Sequence, residues 1–276
     1  MQHFLYAALA LSTLANAHYT FTGIELNGVK KGSDWTYFRE HTRGYMPTYG
    51  PDIASNDFRC QPGGDSGAKT DVLTVKGGDK LHFTLGFGKT GMDHPGPAAV
   101  FMSKAPGDVK AYDGSGDWFK AFDSTLCSSP STITTTAWCS YKQPGVEFVV
   151  PDRLPAGEYL IRPQHIGLHE SQGDGKGAQY FYSCAQVKIE SSSANAWLPT
   201  RTVKIPGMIK EQDDGVKFNI WYPQPTAYPY TPGGPLIVGG QTQGDSKGVS
   251  KSIVTVAQKR SIGGSMVARA RDLVSS

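Results

Sequence analysis

The apolar runs beyond residue 17 are short, and long amphipathic helical patterns are scarce. Residues 81–87, Leu-His-Phe-Thr-Leu-Gly-Phe, alternate apolar and polar side chains with the period of two that a half-buried strand requires. Further extended, β-branched or aromatic runs occupy residues 145–150, 158–161, 179–189 and 216–221. The chain carries 33 glycines and 18 prolines, which places turns between these runs. Short strands at this spacing predict an all-β chain: an immunoglobulin- or fibronectin III-like antiparallel β-sandwich with long surface loops.

The N-terminus sets the compartment. Residues 4–14 (FLYAALALSTL) are apolar but too few to span a bilayer, and Ala15-Asn16-Ala17 follows as a small-x-small cleavage pattern. The segment before the run is atypical in lacking Lys and Arg, with only the α-amine and His3 to carry charge. Residues 1–17 read as a signal peptide, which makes His18 the first residue of a secreted, extracellular and soluble chain. Cys60, Cys127, Cys139 and Cys184 then meet an oxidising compartment, where four cysteines allow three pairings. Sandwiches commonly tie distant strands with one bridge and pin a loop with another, which favours Cys60–Cys184 and Cys127–Cys139. No CxxC pair occurs, so a cysteine-based metal site has little support.

A net charge of +3 is too mild to indicate nucleic acid or an anionic membrane as partner. Residues 241–276 hold six Lys/Arg against two Asp, are rich in Gly and Ser and contain neither cysteine nor tryptophan. They read as a basic, mostly disordered extension of a domain spanning 18–240, without an appended disulfide-stapled carbohydrate-binding module. No N-x-S/T sequon occurs.

A chain that begins with histidine offers an α-amine and a ring Nδ1 on one residue, placed to chelate one metal ion. A second imidazole would complete a T of three nitrogens, the tetragonal arrangement that suits Cu(II). The remaining histidines are His3, His41, His82, His94, His165 and His169. His3 leaves with the leader, and His82 sits mid-strand, where packing is the simpler account. His94 lies in GMDHPGPAAVFMSKAP, a Gly/Pro-fixed turn that would hold its ring rigidly near a surface.

That segment resembles the H-x-G-P motif of the fungal lytic polysaccharide monooxygenases of auxiliary activity family nine, once classed as glycoside hydrolase family sixty-one. SNDFRC (55–60), GEYLIRPQHIGLH (157–169), GAQYFYSCAQVKI (177–189) and residues 203–235 agree in order, so the resemblance runs from His18 to about residue 240. It implies a copper "histidine brace" made by His18 and His94, with His169 and Gln179 around it as hydrogen-bonding groups. It also implies an external electron donor (a small phenol, ascorbate or a dehydrogenase), dioxygen or hydrogen peroxide, and hydrogen abstraction at C1 or C4 of cellulose or a related β-1,4-glucan. Family members usually place tyrosine at the axial position; here it is Phe181, which cannot ligate. Because strand side chains alternate, Gln179 and Phe181 share one face while Tyr180 and Tyr182 share the other. Tyr228 resembles the family's stacking tyrosine, with Tyr230, Tyr45 and Tyr49 as weaker candidates for flat sugar contacts.

Three rival readings are open at this level, the third being a structural sandwich that binds neither copper nor glucan. A glycosidase needs two carboxylates across one cleft, and Glu170, Asp213 and Asp214 show no such pairing near the histidines. A secreted, non-catalytic copper- or glucan-binding sandwich would bind without turnover. The chain is read as a monomer.

Overall fold

The computed structural model describes residues 17–127, 133, 135–190, 194–223 and 225–244. The signal-peptide reading for residues 1–16 and the extension from residue 245 onward lie outside them. In chain order the strands are β1 (Phe21–Leu26), β2 (Val29–Lys31), β3 (Leu73–Val75), β4 (Lys80–Leu85), β5 (Ala98–Lys104), β6 (Phe119–Ser124), β7 (Gly145–Val149), β8 (Gly157–Gly167), β9 (Gln179–Tyr182), β10 (Ala185–Ile189) and β11 (Leu236–Gln243). The only helices among the described residues are 3-10 turns of five residues or fewer.

One sheet runs β2-β1-β4-β7 and the other β11-β6-β5-β8-β10-β3, with β9 beside β8. The pairings are antiparallel except β10 with β3 and β11 with β6. The fold is the expected β-sandwich, with a parallel partner at each end of its larger sheet. Alternation in β4 sends Leu81, Phe83 and Leu85 into the core between the sheets, where Phe148 and Val146 of β7 meet them. Residues 98–102 read as one unbroken apolar run because both faces of β5 are covered. Ala98, Val100 and Met102 point between the sheets, while Ala99 and Phe101 point into a second core beneath the long loops.

Two runs differ from their sequence reading. Residues 216–221 form a turn rather than a strand, because the Asp213 carbonyl accepts from the amides of both Val216 (2.8 Å) and Lys217 (2.9 Å). The run 179–189 is split at Ser183 and Cys184. There the Cys184 carbonyl turns away to accept from the Arg39 amide at 2.9 Å. The larger sheet also takes in Gln241, Thr242 and Gln243, paired with Phe122, Asp123 and Ser124, beyond the boundary set at residue 240.

Both disulfides pair as expected, Cys60 with Cys184 across 124 residues and Cys127 with Cys139 across 12. Loop-closure entropy assigns the long bridge about 4–5 kcal/mol and the short one about 3. The long bridge fixes the start of β10 and so, through β9 and β8, the end of the sandwich where the histidines gather.

Candidate metal centre

His18 leads into β1, and His94 sits in the connection from β4 to β5. Backbone bonds hold that connection from both sides. Leu168 N donates to Pro95 O at 2.8 Å and Ile166 N to Pro97 O at 3.0 Å, while Met92 exchanges bonds with Gln143 and Lys142 at 2.9 Å each. Gly96 is required by the close approach: a Cβ there would lie 1.8 Å from the Ile166 carbonyl oxygen, and its φ is +152°. The His94 ring is thus fixed by a turn zipped to β8.

The ring centroids of His18 and His94 lie 5.5 Å apart. His169 stacks on His94 at 4.1 Å with the planes 4° apart. Phe181 stands beneath the cluster, 5.4 Å from His94 and 5.9 Å from His18. The alternation argued from sequence holds in β9, with Phe181 in the core between the sheets and Tyr180 and Tyr182 in the second core. Gly167, between His165 and His169 in sequence, makes room for His94 and the His169 ring: a Cβ there would come within 3.1 Å of the His94 Cβ and 3.3 Å of the His169 ring. Gly167→Ala is expected to push the His169 ring away from His94 and weaken metal binding by about 10- to 100-fold, the usual cost of disturbing groups that orient ligands. Isothermal titration of the variant against the parent checks this.

The electrostatics favour lone-pair donors. Burial, and then the neighbouring His169, His165, His18 and Lys89, hold the His94 imidazole far below its ordinary pKa, so the ring is neutral. Its Nε2 is buried and has no hydrogen-bond partner. An orphaned buried nitrogen costs on the order of 1–3 kcal/mol, which a bound metal ion would offset. Burial also lowers the pKa of His169, against the pull of Glu170, and its Nδ1 is likewise without a partner. Gln179 Nε2 donates to Glu170 Oε2 at 2.9 Å, which fixes the amide and leaves its Oε1 buried and unpaired. Among the described residues, no group of three or more His, Cys, Asp or Glu side chains could hold a metal ion. A histidine brace of the kind the resemblance implies needs only two imidazoles, its third nitrogen being an N-terminal amine.

The other histidines serve the fold. His41 Nε2 lies 3.2 Å from Thr20 Oγ1, His82 Nδ1 lies 3.1 Å from Glu25 Oε2, and His165 is wholly buried in β8. Tyr228 is half-buried: its hydroxyl donates to the Gly215 carbonyl at 2.9 Å, and Trp138 and Phe218 pack edge-on at 4.8 and 5.1 Å. Tyr45 packs edge-on with exposed Phe87 at 5.7 Å. Trp221 and Tyr222 are exposed aromatics, 52% and 81% exposed. Trp221 Nε1 donates to the His169 carbonyl at 2.7 Å. Sequence reasoning passed over Trp221 because its run read as a strand, and passed over Glu170 as the partner of Gln179 although it adjoins His169.

The free ring nitrogens of His94 and His169, fixed at one end of a disulfide-tied sandwich, are of the kind that suits transition metals such as copper. The model of Auxiliary Activity family 9 (formerly GH61) matches residues 18–230, and the chain belongs to that family. Its members are copper-dependent polysaccharide monooxygenases, which supports an oxidoreductase class for this chain. It is 42% identical over 221 residues to AA9 family lytic polysaccharide monooxygenase G of Aspergillus tamarii, covering 79% of this chain and 66% of that relative, just under two thirds of its length. It is 38% identical over 275 residues to AA9 family lytic polysaccharide monooxygenase A of Aspergillus fumigatus, covering 94% and 90%. Among solved structures it resembles a cellulose-active polysaccharide monooxygenase from M. thermophila, with TM-score 0.64, 26% identity and coverage of 81% and 100%. HiLPMO9B gives TM-score 0.67 at 25% identity, again covering 81% and 100%. Fungal members are secreted enzymes, and among the described residues no helix is long and apolar enough to cross a membrane.

Proposed function

We propose that this chain, freed of residues 1–17, holds a single copper ion at His18 and His94 and oxidatively cleaves β-1,4-glucosidic bonds of cellulose at C1, C4 or both. The observation that carries the reading is the pair of apposed imidazoles of His18 and His94, the latter with a buried, partnerless Nε2. The His18 amine and Nδ1 would supply two ligands and His94 Nε2 the third. Bound copper supplies one-electron redox chemistry and an open position for dioxygen or peroxide. Phe181, buried beneath both rings, keeps water and further ligands from the inner side. His169 Nδ1 and the Gln179 side-chain carbonyl, whose amide is held by Glu170, are buried polar atoms without partners that would orient an oxygen co-substrate. Trp221 and Tyr222 offer ring faces to the planar faces of a glucan, with Trp221 anchored to the His169 carbonyl.

The electron would come from a small phenol, ascorbate or a dehydrogenase, and the enzyme would act as a secreted monomer of residues 18–240 with a basic extension. Mass spectrometry of products from phosphoric-acid-swollen cellulose, with copper and ascorbate, tests the activity. Aldonic acids or gem-diols are expected, and native oligosaccharides alone would refute it. Losing one stacked ring, worth about 1–1.5 kcal/mol, is expected to raise the cellulose dissociation constant of Tyr222→Ala about tenfold. Pull-down isotherms measure it without any need for turnover.

A further inference from the structure

Residues 216–222 keep the alternation of a strand without being one. Val216 and Ile220 lie in the second core and Phe218 packs against it, so the run is anchored from beneath. It is also tied to the segment that carries His169. The buried hydroxyl of Ser171 donates to the Val216 carbonyl, and Trp221 Nε1 donates to the His169 carbonyl at 2.7 Å. Up to Ile220, packing fixes the path of the chain.

Beyond Ile220, packing gives out. Trp221 is 52% and Tyr222 81% exposed, so the surroundings of these side chains do little to aim them. The side chain of Asn219 takes over. Its Oδ1 accepts from the backbone amide of Trp221 at 2.8 Å and from that of Tyr222 at 3.2 Å. An asparagine oxygen that reaches the amide two residues on closes a turn as a backbone carbonyl would. Here the same oxygen holds the next amide as well, so one acceptor sets the direction of both residues.

We propose that Asn219 is the positioning residue of the glucan-binding rings, a role that rests on the reading of Trp221 and Tyr222 as glucan contacts. One carbonyl oxygen pins two consecutive amides and presents both rings in a fixed orientation before the glucan arrives. The gain is preorganisation: a segment left free would have to be ordered on binding, and affinity falls accordingly. The chemistry required is an oxygen acceptor at this reach. Aspartate supplies it, and alanine does not.

Pull-down isotherms of copper-free protein on phosphoric-acid-swollen cellulose test the role. Asn219→Ala is expected to raise the dissociation constant about five- to tenfold, no more than Tyr222→Ala. Asn219→Asp, which keeps the acceptor, is expected to stay within about twofold of the parent. Because Asn219 acts through the rings, the double variant with Tyr222→Ala should lose less than the two single losses combined. Copper titration of Asn219→Ala should match the parent; a parallel loss there would mark general loosening and overturn the proposal. Additive losses would also overturn it, as would parent-like binding by Asn219→Ala beside weak binding by Tyr222→Ala, and both leave the ring contacts standing. Parent-like binding by Tyr222→Ala would overturn the reading of that ring, and the proposal with it. Should Asn219→Ala fail to fold, hydrogen exchange of the parent decides. The Trp221 and Tyr222 amides are expected to exchange at least about tenfold more slowly than in an open chain, and open-chain rates would overturn the proposal.

Discussion

Replacing His94 with alanine is expected to lower copper affinity by more than about 100-fold, beyond the loss seen when only groups that orient a ligand are removed. Oxidised oligosaccharides should fall below detection in the same variant. The fold should survive, because the turn is held by main-chain bonds to Pro95, Pro97, Met92 and Lys142 rather than by the ring. Calorimetric copper titration and product analysis, run beside a thermal melt, separate the two effects. Intact copper binding in His94→Ala would remove this residue from the ligand set.

The second large effect is acid destabilisation of the copper-free protein. Burial, and then the Arg43 charge, lower the His41 pKa to about 4. Burial, against the opposing bond to the Gly96 carbonyl and with a smaller push from His169, lowers that of His165 to about 3. Both are depressed from an unfolded value near 6.5. Above that value neither state binds the proton, and stability is whole. As the pH falls below it the unfolded chain takes up protons that the folded chain refuses, so stability declines until the pH passes the folded pKa values. At 1.36 kcal/mol per unit, His41 alone accounts for up to about 3 kcal/mol and His165 for up to about 5. That is comparable to the whole stability of a typical domain, about 5–15 kcal/mol. Urea unfolding of copper-free protein is therefore expected to show a midpoint falling steadily from about pH 6.5 toward pH 4. His41→Gln should flatten the decline if it folds. A midpoint flat across that window would contradict the assigned burial of both rings.

Much of this was legible in the order of residues. Period-two alternation at 81–85 located β4, and the same rule put Gln179 and Phe181 on one side of β9 with the tyrosines on the other. The clustering of His18, His94 and His169 was foreseen from the Gly/Pro turn around His94 and from family resemblance. Long-range accidents of packing were not legible. Whether Tyr228 shows its ring to solvent depends on Trp138 and Phe218, far away or in another turn, and they hold it half-buried. The run ending at Trp221 has strand composition, yet the Asp213 carbonyl captures two of its amides and makes a turn. The hydrogen bond between Tyr19 and His165 joins residues 146 positions apart and leaves no local pattern.

The measurement closest to the central claim is a copper titration of protein beginning at His18 beside the same protein retaining Ala17, read by calorimetry and Cu(II) electron paramagnetic resonance. The freed α-amine predicts tight binding of one ion with nitrogen hyperfine structure from the amine and two imidazoles, and loss of that signature once Ala17 turns the amine into an amide. Equal affinity and identical spectra for the two forms would contradict it.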